Sequence, residues 1–155
     1  MPSYAERRDM PYSAAQMYAL VADIERYPKF LPWCSALKVR ERSQCDGQEI
    51  VLADMTVAFT TIKERFTTRV ALDPVAGRID VRYIDGPFRA LINHWRFEQR
   101  PNGGSIVDFF IDFEFRSRPI EFLVGAMFTQ AVSKLVNAFE RRADVLYGGT
   151  RQPLI

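Results

Sequence analysis

The feature that most constrains the fold is a long stretch of alternating apolar and polar residues, from Ala36 to Phe115. Successive side chains of a β-strand point to opposite faces, so this period of two indicates strands that bury one face. Turn signals interrupt the stretch at Asp46-Gly47, Asp85-Gly86-Pro87 and Pro101-Asn102-Gly103-Gly104. The region therefore predicts an antiparallel meander of six strands, preceded by a first strand at Tyr4–Pro11.

The register of one hairpin is also predictable. The segments on either side of Gly103-Gly104 each carry apolar residues at every second position. Placing Phe97 opposite Val107 aligns these apolar faces and sets Trp95 against Phe109. A slip of one residue would turn both aromatic rings away from the core, so we expect this register.

Helical patterns flank the strands. Ser13 and Gln16 form a predicted capping box, and apolar residues then recur at helical spacing as far as Ile24. Apolar residues recur at the same spacing from Pro119 to Tyr147, and Gly148-Gly149 follow. We therefore predict a short helix early in the chain and one long helix at its end.

Length, composition and charge limit the class of protein. A chain of 155 residues predicts one domain, residues 1–149, with a flexible tail at 150–155. The 48% hydrophobic content excludes a disordered chain. Dispersed charges, 21 Lys+Arg against 19 Asp+Glu, leave a net charge of +2, which disfavours DNA or RNA as the main partner. No secretory pattern and no bilayer-length apolar run is present, so we expect a cytoplasmic protein, at most peripheral at the inner face of the bacterial cytoplasmic membrane.

Few residues are suited to catalysis or metal binding. His94 is the only histidine, whereas hydrolases that use Ser or Cys need a His base and most metal sites use several such ligands. Cys34 and Cys45 form no CxxC pair. We therefore predict no catalytic residue, no metal and no cofactor. No residue pattern demands an oligomer, and we expect a monomer or a weak dimer.

The positions predicted to face inward are unusually aromatic. A twisted sheet wrapped about a single helix does not have to fill its interior and is able to enclose a cavity. These residues form either an ordinary core or the wall of a ligand cavity, because both use the same residue types. The candidate wall residues are Phe66, Trp95, Phe109, Phe113, Met127, Phe128 and Leu135.

Two Pro-containing loops carry further apolar side chains. Phe30, Leu31 and Trp33 lie in one loop, and Phe88 follows Pro87 in the other. At the open end of a cavity these side chains would form a lid or touch a bilayer. The alternative is that both loops fold down onto the helix as a satellite core.

The strand around Phe66 has two faces of different character. Glu64 shares its parity with Phe66, so the alternation turns a carboxylate toward the cavity, where it would contact a ligand headgroup. A bulge would reverse this and leave Glu64 in solvent. Lys63, Arg65 and Arg69 face the other way, as a solvated surface or as a patch for anionic lipid headgroups or ribosomal RNA.

Five segments, in order along the chain, resemble a known family. They are YSAAQMYALVADIERYPKFLPWCSALKV (12–39), FTTRV (66–70), DGPFRALINHWRF (85–97), DFFIDFEFRSRPI (108–120) and AFERRADVLYG (138–148). In these segments the chain is similar to the coenzyme Q-binding START-like proteins of the helix-grip, polyketide cyclase superfamily. The resemblance implies an α+β fold: a curved antiparallel sheet of about seven strands around a long C-terminal helix, with two short helices after the first strand.

The same resemblance implies a function. A quinone-binding member would hold ubiquinone, or a related isoprenoid lipid, between sheet and helix and act as a carrier or chaperone in respiration and quinone biosynthesis, without chemistry on the quinone. The ribosome-association toxins share the Tyr27-Pro28 and Asp85–Phe88 strings, so binding to the ribosome with a block of subunit association is the alternative. A cyclase-like enzyme is a third, and Glu64 is its one predicted inward acid.

Overall fold

The structure is a computed structural model that describes residues 3–59, 62–125 and 128–148. Two parts of the sequence-based predictions lie outside these ranges: the C-terminal tail at 150–155 and the candidate wall residue Met127.

Helices and strands follow the predicted order. The elements are β1 Ser3–Met10, α1 Ala14–Ala22, a 3₁₀ helix Ile24–Lys29, β2 Cys34–Cys45, β3 Gln48–Phe59, β4 Ile62–Asp73, β5 Arg78–Asp85, β6 Phe88–Gln99, β7 Ser105–Phe115, α2 Arg118–Gly125 and α3 Phe128–Tyr147. The described strands form one antiparallel sheet of seven, in the order β1-β7-β6-β5-β4-β3-β2. The α+β prediction, with about seven strands and two short helices after the first strand, is confirmed.

The predicted register of the β6–β7 hairpin is also confirmed. Phe97 lies opposite Val107, and Trp95 lies opposite Phe109. Strand β1 then pairs with the other edge of β7, with Glu6 opposite Phe109. Every second residue of the sheet therefore points to one inner face, which the helices cover.

The first helix begins where the capping box predicts. The Ser13 hydroxyl accepts from the Gln16 backbone N–H at 3.1 Å, and the Gln16 side chain accepts from the Ser13 N–H at 3.0 Å. Pro28 lies inside the following 3₁₀ helix. The buried Tyr27 hydroxyl donates to the Val21 carbonyl oxygen at 2.5 Å, which ties the 3₁₀ helix to α1.

The C-terminal region is helical, as predicted for Pro119–Tyr147. The described parts of this region are α2 and α3, and residues 126–127 lie outside the described residues. The apolar stripe of α3 is buried against the inner face of the sheet through Phe128, Val132, Val136, Phe139 and Ala143. Polar contacts fix the other end of α3, where the Tyr147 hydroxyl donates to the Gln16 carbonyl oxygen at 3.0 Å.

Candidate functional site

A cavity of about 270 Å³ lies between the inner face of the sheet and α3. Strands β2 to β7 supply one wall, α3 supplies the opposite wall, and the 3₁₀ helix with its following loop lies at one side. The predicted site residues that line it are Leu31, Trp33, Glu64, Phe66, Phe88, Trp95, Phe109, Phe113, Phe128 and Leu135. Alternation along the strands thus brings together residues that are far apart in sequence.

Phe30 is a predicted site residue that does not line the cavity. Its ring packs edge-on against Tyr27 and Phe139, with centroid distances of 5.9 and 5.4 Å. The Arg142 guanidinium lies over the same ring, 5.3 Å from its centroid. Phe30 therefore supports the wall from behind through Phe139.

Edge-on aromatic contacts hold the wall in place. The Trp95 ring centroid lies 4.8 Å from that of Phe109 and 4.9 Å from that of Phe139. Phe88 lies 5.0 Å from Phe66 and is itself buried. Such pairs restrict side-chain rotation, so the wall is largely formed before a ligand arrives. Phe88 belongs to this core and not to an exposed lid.

The loop that borders the cavity contains a strained residue. Trp33 adopts φ +67°, in the left-handed region that bulky residues avoid. Its carbonyl oxygen accepts from the Ala58 N–H at 2.8 Å, which holds the loop against β3. Leu31 and Trp33 are half-buried, so this loop lies over the cavity edge with part of its apolar surface in solvent.

Glu64 lines the cavity, as the alternation predicts. It lies in one row with Val57 and Cys34, across strands β4, β3 and β2, at the end of the sheet next to Trp33. Glu64 is the one charged side chain among the described lining residues, and no basic nitrogen of the described residues lies within 4.0 Å of its carboxylate. A carboxylate placed there accepts hydrogen bonds from whatever occupies the cavity mouth.

Two further polar side chains line the cavity and differ in availability. Asn93 is engaged, since its amide nitrogen donates to the Phe110 carbonyl oxygen at 2.8 Å and its amide oxygen accepts from the Trp95 indole at 3.1 Å. The Thr68 side chain is 6% exposed and has no hydrogen-bond partner among the described residues. Thr68 is therefore free to bond a ligand. Sequence analysis missed both residues, although each shares the parity of its inward neighbours.

Burial keeps the other titratable groups of the wall neutral. It raises the pKa of the Cys34 thiol to about 11 and raises the pKa of the Tyr27 hydroxyl well above its ordinary value. At neutral pH both groups are protonated, so neither supplies a nucleophilic anion. Tyr27 lines the cavity from the 3₁₀ helix and Cys34 from the first residue of β2, where no periodic signal identifies them in the sequence.

Metal ligands and the single histidine were the other candidates for chemistry, and neither is found at the cavity among the described residues. In residues 3–59, 62–125 and 128–148, no group of three or more His, Cys, Asp and Glu side chains is arranged to hold a metal ion. His94 is on the outer face, 46% exposed, with its Nδ1 2.6 Å from Asp80 Oδ1. No helix of the described residues is long and apolar enough to cross a membrane.

An antiparallel sheet folded about a C-terminal helix, with an apolar cavity between them, defines the helix-grip fold. Residues 10–140 match the family described as polyketide cyclase / dehydrase and lipid transport. The chain belongs to this family, and the predicted superfamily membership is confirmed.

Similar proteins of known description fall into both branches that the sequence resembles. A ribosome association toxin, RatA, of Pseudomonas aeruginosa is 37% identical over 139 residues, 90% of this chain and 93% of that protein. A mitochondrial coenzyme Q-binding protein, COQ10 homolog B of Xenopus laevis, is 31% identical over 155 residues, 97% of this chain and 62% of that protein. Both descriptions concern binding rather than catalysis.

A solved structure gives the same architecture. The solution structure of an 18 kDa protein from Caulobacter crescentus is 34% identical, with a TM-score of 0.79 over 96% of this chain and 99% of that one. The predicted fold class is therefore confirmed over nearly the full chain.

Proposed function

We propose that the protein binds an isoprenoid lipid, above all ubiquinone in its oxidised or reduced (ubiquinol) form, in the cavity between sheet and helix and carries it without altering it. The observation that supports this most is the cavity wall, in which the described lining residues are mainly apolar and include a single charged side chain, that of Glu64. Transfer of each CH₂ from water contributes about 0.8 kcal/mol, so an apolar cavity gains affinity for a long tail from burial alone. The similarity to a coenzyme Q-binding protein supports the choice of quinone.

The polar end of the ligand is proposed to lie beside Glu64, at the row formed with Val57 and Cys34. An ionised carboxylate accepts hydrogen bonds and cannot donate them. It therefore favours a headgroup that carries a hydroxyl, such as the reduced quinol, over one that offers only carbonyl oxygens. Thr68 lies four residues further along β4, about 13 Å at the usual rise per residue, and would contact a different part of the ligand.

Ligand extraction tests this proposal. The protein is purified without detergent from a host that makes ubiquinone, extracted with organic solvent and analysed by mass spectrometry. We expect stoichiometric quinone in the wild type and none in Phe109→Arg, which fills the cavity. Phe110→Arg is the matched control, because Phe110 is the next residue on β7 and points to the outer face.

Two results would contradict the proposal. One is wild-type protein that carries no lipid and takes up none when incubated with ubiquinone. The other is equal loading of Phe109→Arg and Phe110→Arg. Glu64→Gln tests the headgroup separately, and we expect it to weaken binding of ubiquinol more than binding of ubiquinone.

A second candidate function is binding to the ribosome with a block of subunit association, in the cytoplasm of a bacterial cell. The observation that favours it is the 37% identity to a ribosome association toxin over 90% of this chain. Sucrose-gradient sedimentation of purified ribosomal subunits, with and without the protein, tests it. Accumulation of separate subunits is the expected result, and unchanged joining at excess protein would exclude this candidate.

A further inference from the structure

The outer face of β4 and β5 carries a group of basic side chains that the cavity does not use. Lys63, Arg65 and Arg69 alternate along β4 with residues whose side chains line the cavity. On β5, Arg82 lies directly opposite Arg69 in the strand register. We call these four residues the basic surface.

The basic groups of this surface repel one another, and no ion pair within the described residues offsets the repulsion. Like charges directly opposite each other on neighbouring strands are destabilising. No acidic oxygen of the described residues lies within 4.0 Å of any of the four basic groups. Nearby arginines do have such partners: Arg40 is 3.7 Å from Asp54 and Arg78 is 3.5 Å from Asp80. An anion from outside the chain would supply the missing partner.

The spacing of the basic surface matches an extended anion better than a small one. Residues two apart on a strand are about 7 Å apart, so Lys63 to Arg69 spans about 20 Å along β4. Two acids are closest in register, because Asp54 and Asp85 both lie opposite Thr67. Asp54 already accepts from the Thr67 hydroxyl at 2.5 Å and lies 3.7 Å from Arg40. A row of Lys and Arg over this length binds successive phosphates of a nucleic acid backbone, and each guanidinium is able to bond a phosphate in two places.

The location of the basic surface favours RNA over a membrane as its partner. It lies on the face of the sheet opposite to the cavity, because its residues alternate with Glu64 and Phe66 of the cavity wall. A bilayer against this face would lie away from the cavity and its bordering loop, and so would not promote lipid transfer. An RNA partner has no such requirement.

We propose that Lys63, Arg65, Arg69 and Arg82 bind the phosphate backbone of ribosomal RNA. This rests on the ribosome-directed candidate function above, and it assigns that function to a surface separate from the cavity. The dispersed charges and the net charge of +2 disfavour nucleic acid as a partner of the chain as a whole, so the proposal rests on the local grouping of these four basic side chains on one face.

Binding of two neutralised variants tests the assignment. The probes are purified bacterial ribosomal subunits, ribosomal RNA stripped of protein, and vesicles of phosphatidylglycerol and phosphatidylcholine. In Arg69→Gln/Arg82→Gln we expect at least a tenfold loss of affinity for subunits and RNA, and a plot of log affinity against log salt that is shallower by about 1.5. Lys134→Gln/Arg141→Gln removes the same charge from exposed positions of α3 and should bind as wild type.

The possible outcomes separate this surface from the function on which it rests. Unchanged binding by Arg69→Gln/Arg82→Gln, with wild type bound to subunits, would overturn the surface and leave the ribosome-directed function standing. No wild-type binding to subunits or RNA would overturn both. Loss of vesicle binding with RNA binding intact would assign the surface to lipid headgroups instead. The variant should unfold at the same temperature as wild type or higher, because it removes facing like charges.

Discussion

Helix α3 is held in different ways along its two halves. The cavity half, Phe128–Val136, faces the sheet across the cavity and contributes apolar side chains. The anchored half, Phe139–Tyr147, lines the cavity through Phe139 and otherwise makes polar contacts to the start of the chain. There the Arg8 guanidinium lies 3.1 Å from Glu140, and the Tyr12 hydroxyl donates to the Asp144 carboxylate.

The difference shows how a protein keeps an interior space open. Side chains that border a cavity lack partner atoms on one side and so lose part of their packing energy. The anchored half compensates, because its contacts fix α3 against β1 and α1 without filling the space beside the cavity half. The polar anchors and most of the cavity wall on α3 are therefore carried by different parts of one helix.

Substitution of Phe139 should have the largest effect. Phe139 packs against Tyr27, Phe30 and Trp95 at centroid distances of 5.3, 5.4 and 4.9 Å. We expect Phe139→Ala to lower the free energy of unfolding by about 3–5 kcal/mol, the usual range for a buried Phe. Chemical denaturation followed by tryptophan fluorescence and circular dichroism measures it.

The matched control is the same change in the cavity half. Phe128 is also buried, but among the described residues its ring packs against two others and not three. The centroid distances are 5.0 Å to Phe113 and 6.5 Å to Tyr4. We expect Phe128→Ala to cost clearly less than Phe139→Ala. Equal losses in the free energy of unfolding would show that both halves of α3 contribute equally to stability.

Ligand binding should act on the cavity half. A ligand that binds only the folded state at one hundred times its dissociation constant adds about 2.7 kcal/mol to the free energy of unfolding. With short-tailed ubiquinone we expect slower amide exchange in Phe128–Val136 and little change in Glu140–Tyr147, measured by hydrogen–deuterium exchange and mass spectrometry. Phe109→Arg, which fills the cavity, should show neither effect.

An opposite pattern of exchange would be informative. Protection confined to Glu140–Tyr147, which follows the last cavity-lining residue of α3, would place the ligand outside the cavity and contradict the proposed site. Equal protection of both halves would show that α3 responds as one rigid element, so the division between its halves would not extend to dynamics.

Much of the sheet was predictable, because its signals are local. Alternation gave the β6–β7 register, including Trp95 opposite Phe109, and placed Glu64 in the cavity wall. The capping box gave the start of α1 at Ser13. Each of these features depends on residues close together in the chain or on one short turn. The alternation of apolar and polar residues is therefore enough to predict them.

The rest depends on contacts that no local pattern contains. The Arg8–Glu140 and Tyr12–Asp144 contacts each join residues 132 positions apart. Tyr27 and Cys34 reach the cavity from a 3₁₀ helix and a strand end, where side-chain direction follows from tertiary packing. The facing Arg69 and Arg82 become visible only when the β4–β5 register is known.

Removal of one anchoring hydroxyl should have a moderate effect. Tyr12 is 2% exposed, and its hydroxyl donates to a carboxylate, a stronger bond than one between neutral groups. We expect Tyr12→Phe to lower the free energy of unfolding by about 1–2 kcal/mol, measured by urea denaturation. A double-mutant cycle with Asp144→Ala isolates this contact, and a coupling near zero would show that the bond does not anchor α3.

The ion pair between Arg8 and Glu140 should have the smallest effect of the anchors. The two side chains are 22% and 44% exposed, and Arg8 also contacts Glu6, so Glu140→Gln leaves the guanidinium with one carboxylate partner. We expect a loss of about 0.2–1 kcal/mol that diminishes as salt is raised, measured by urea denaturation at two salt concentrations. Glu114→Gln, which breaks the exposed Arg89–Glu114 pair on the sheet, is the matched control. A loss above 2 kcal/mol that salt does not reduce would instead mean that this pair is shielded from water and anchors α3 as strongly as the Tyr12 hydroxyl does.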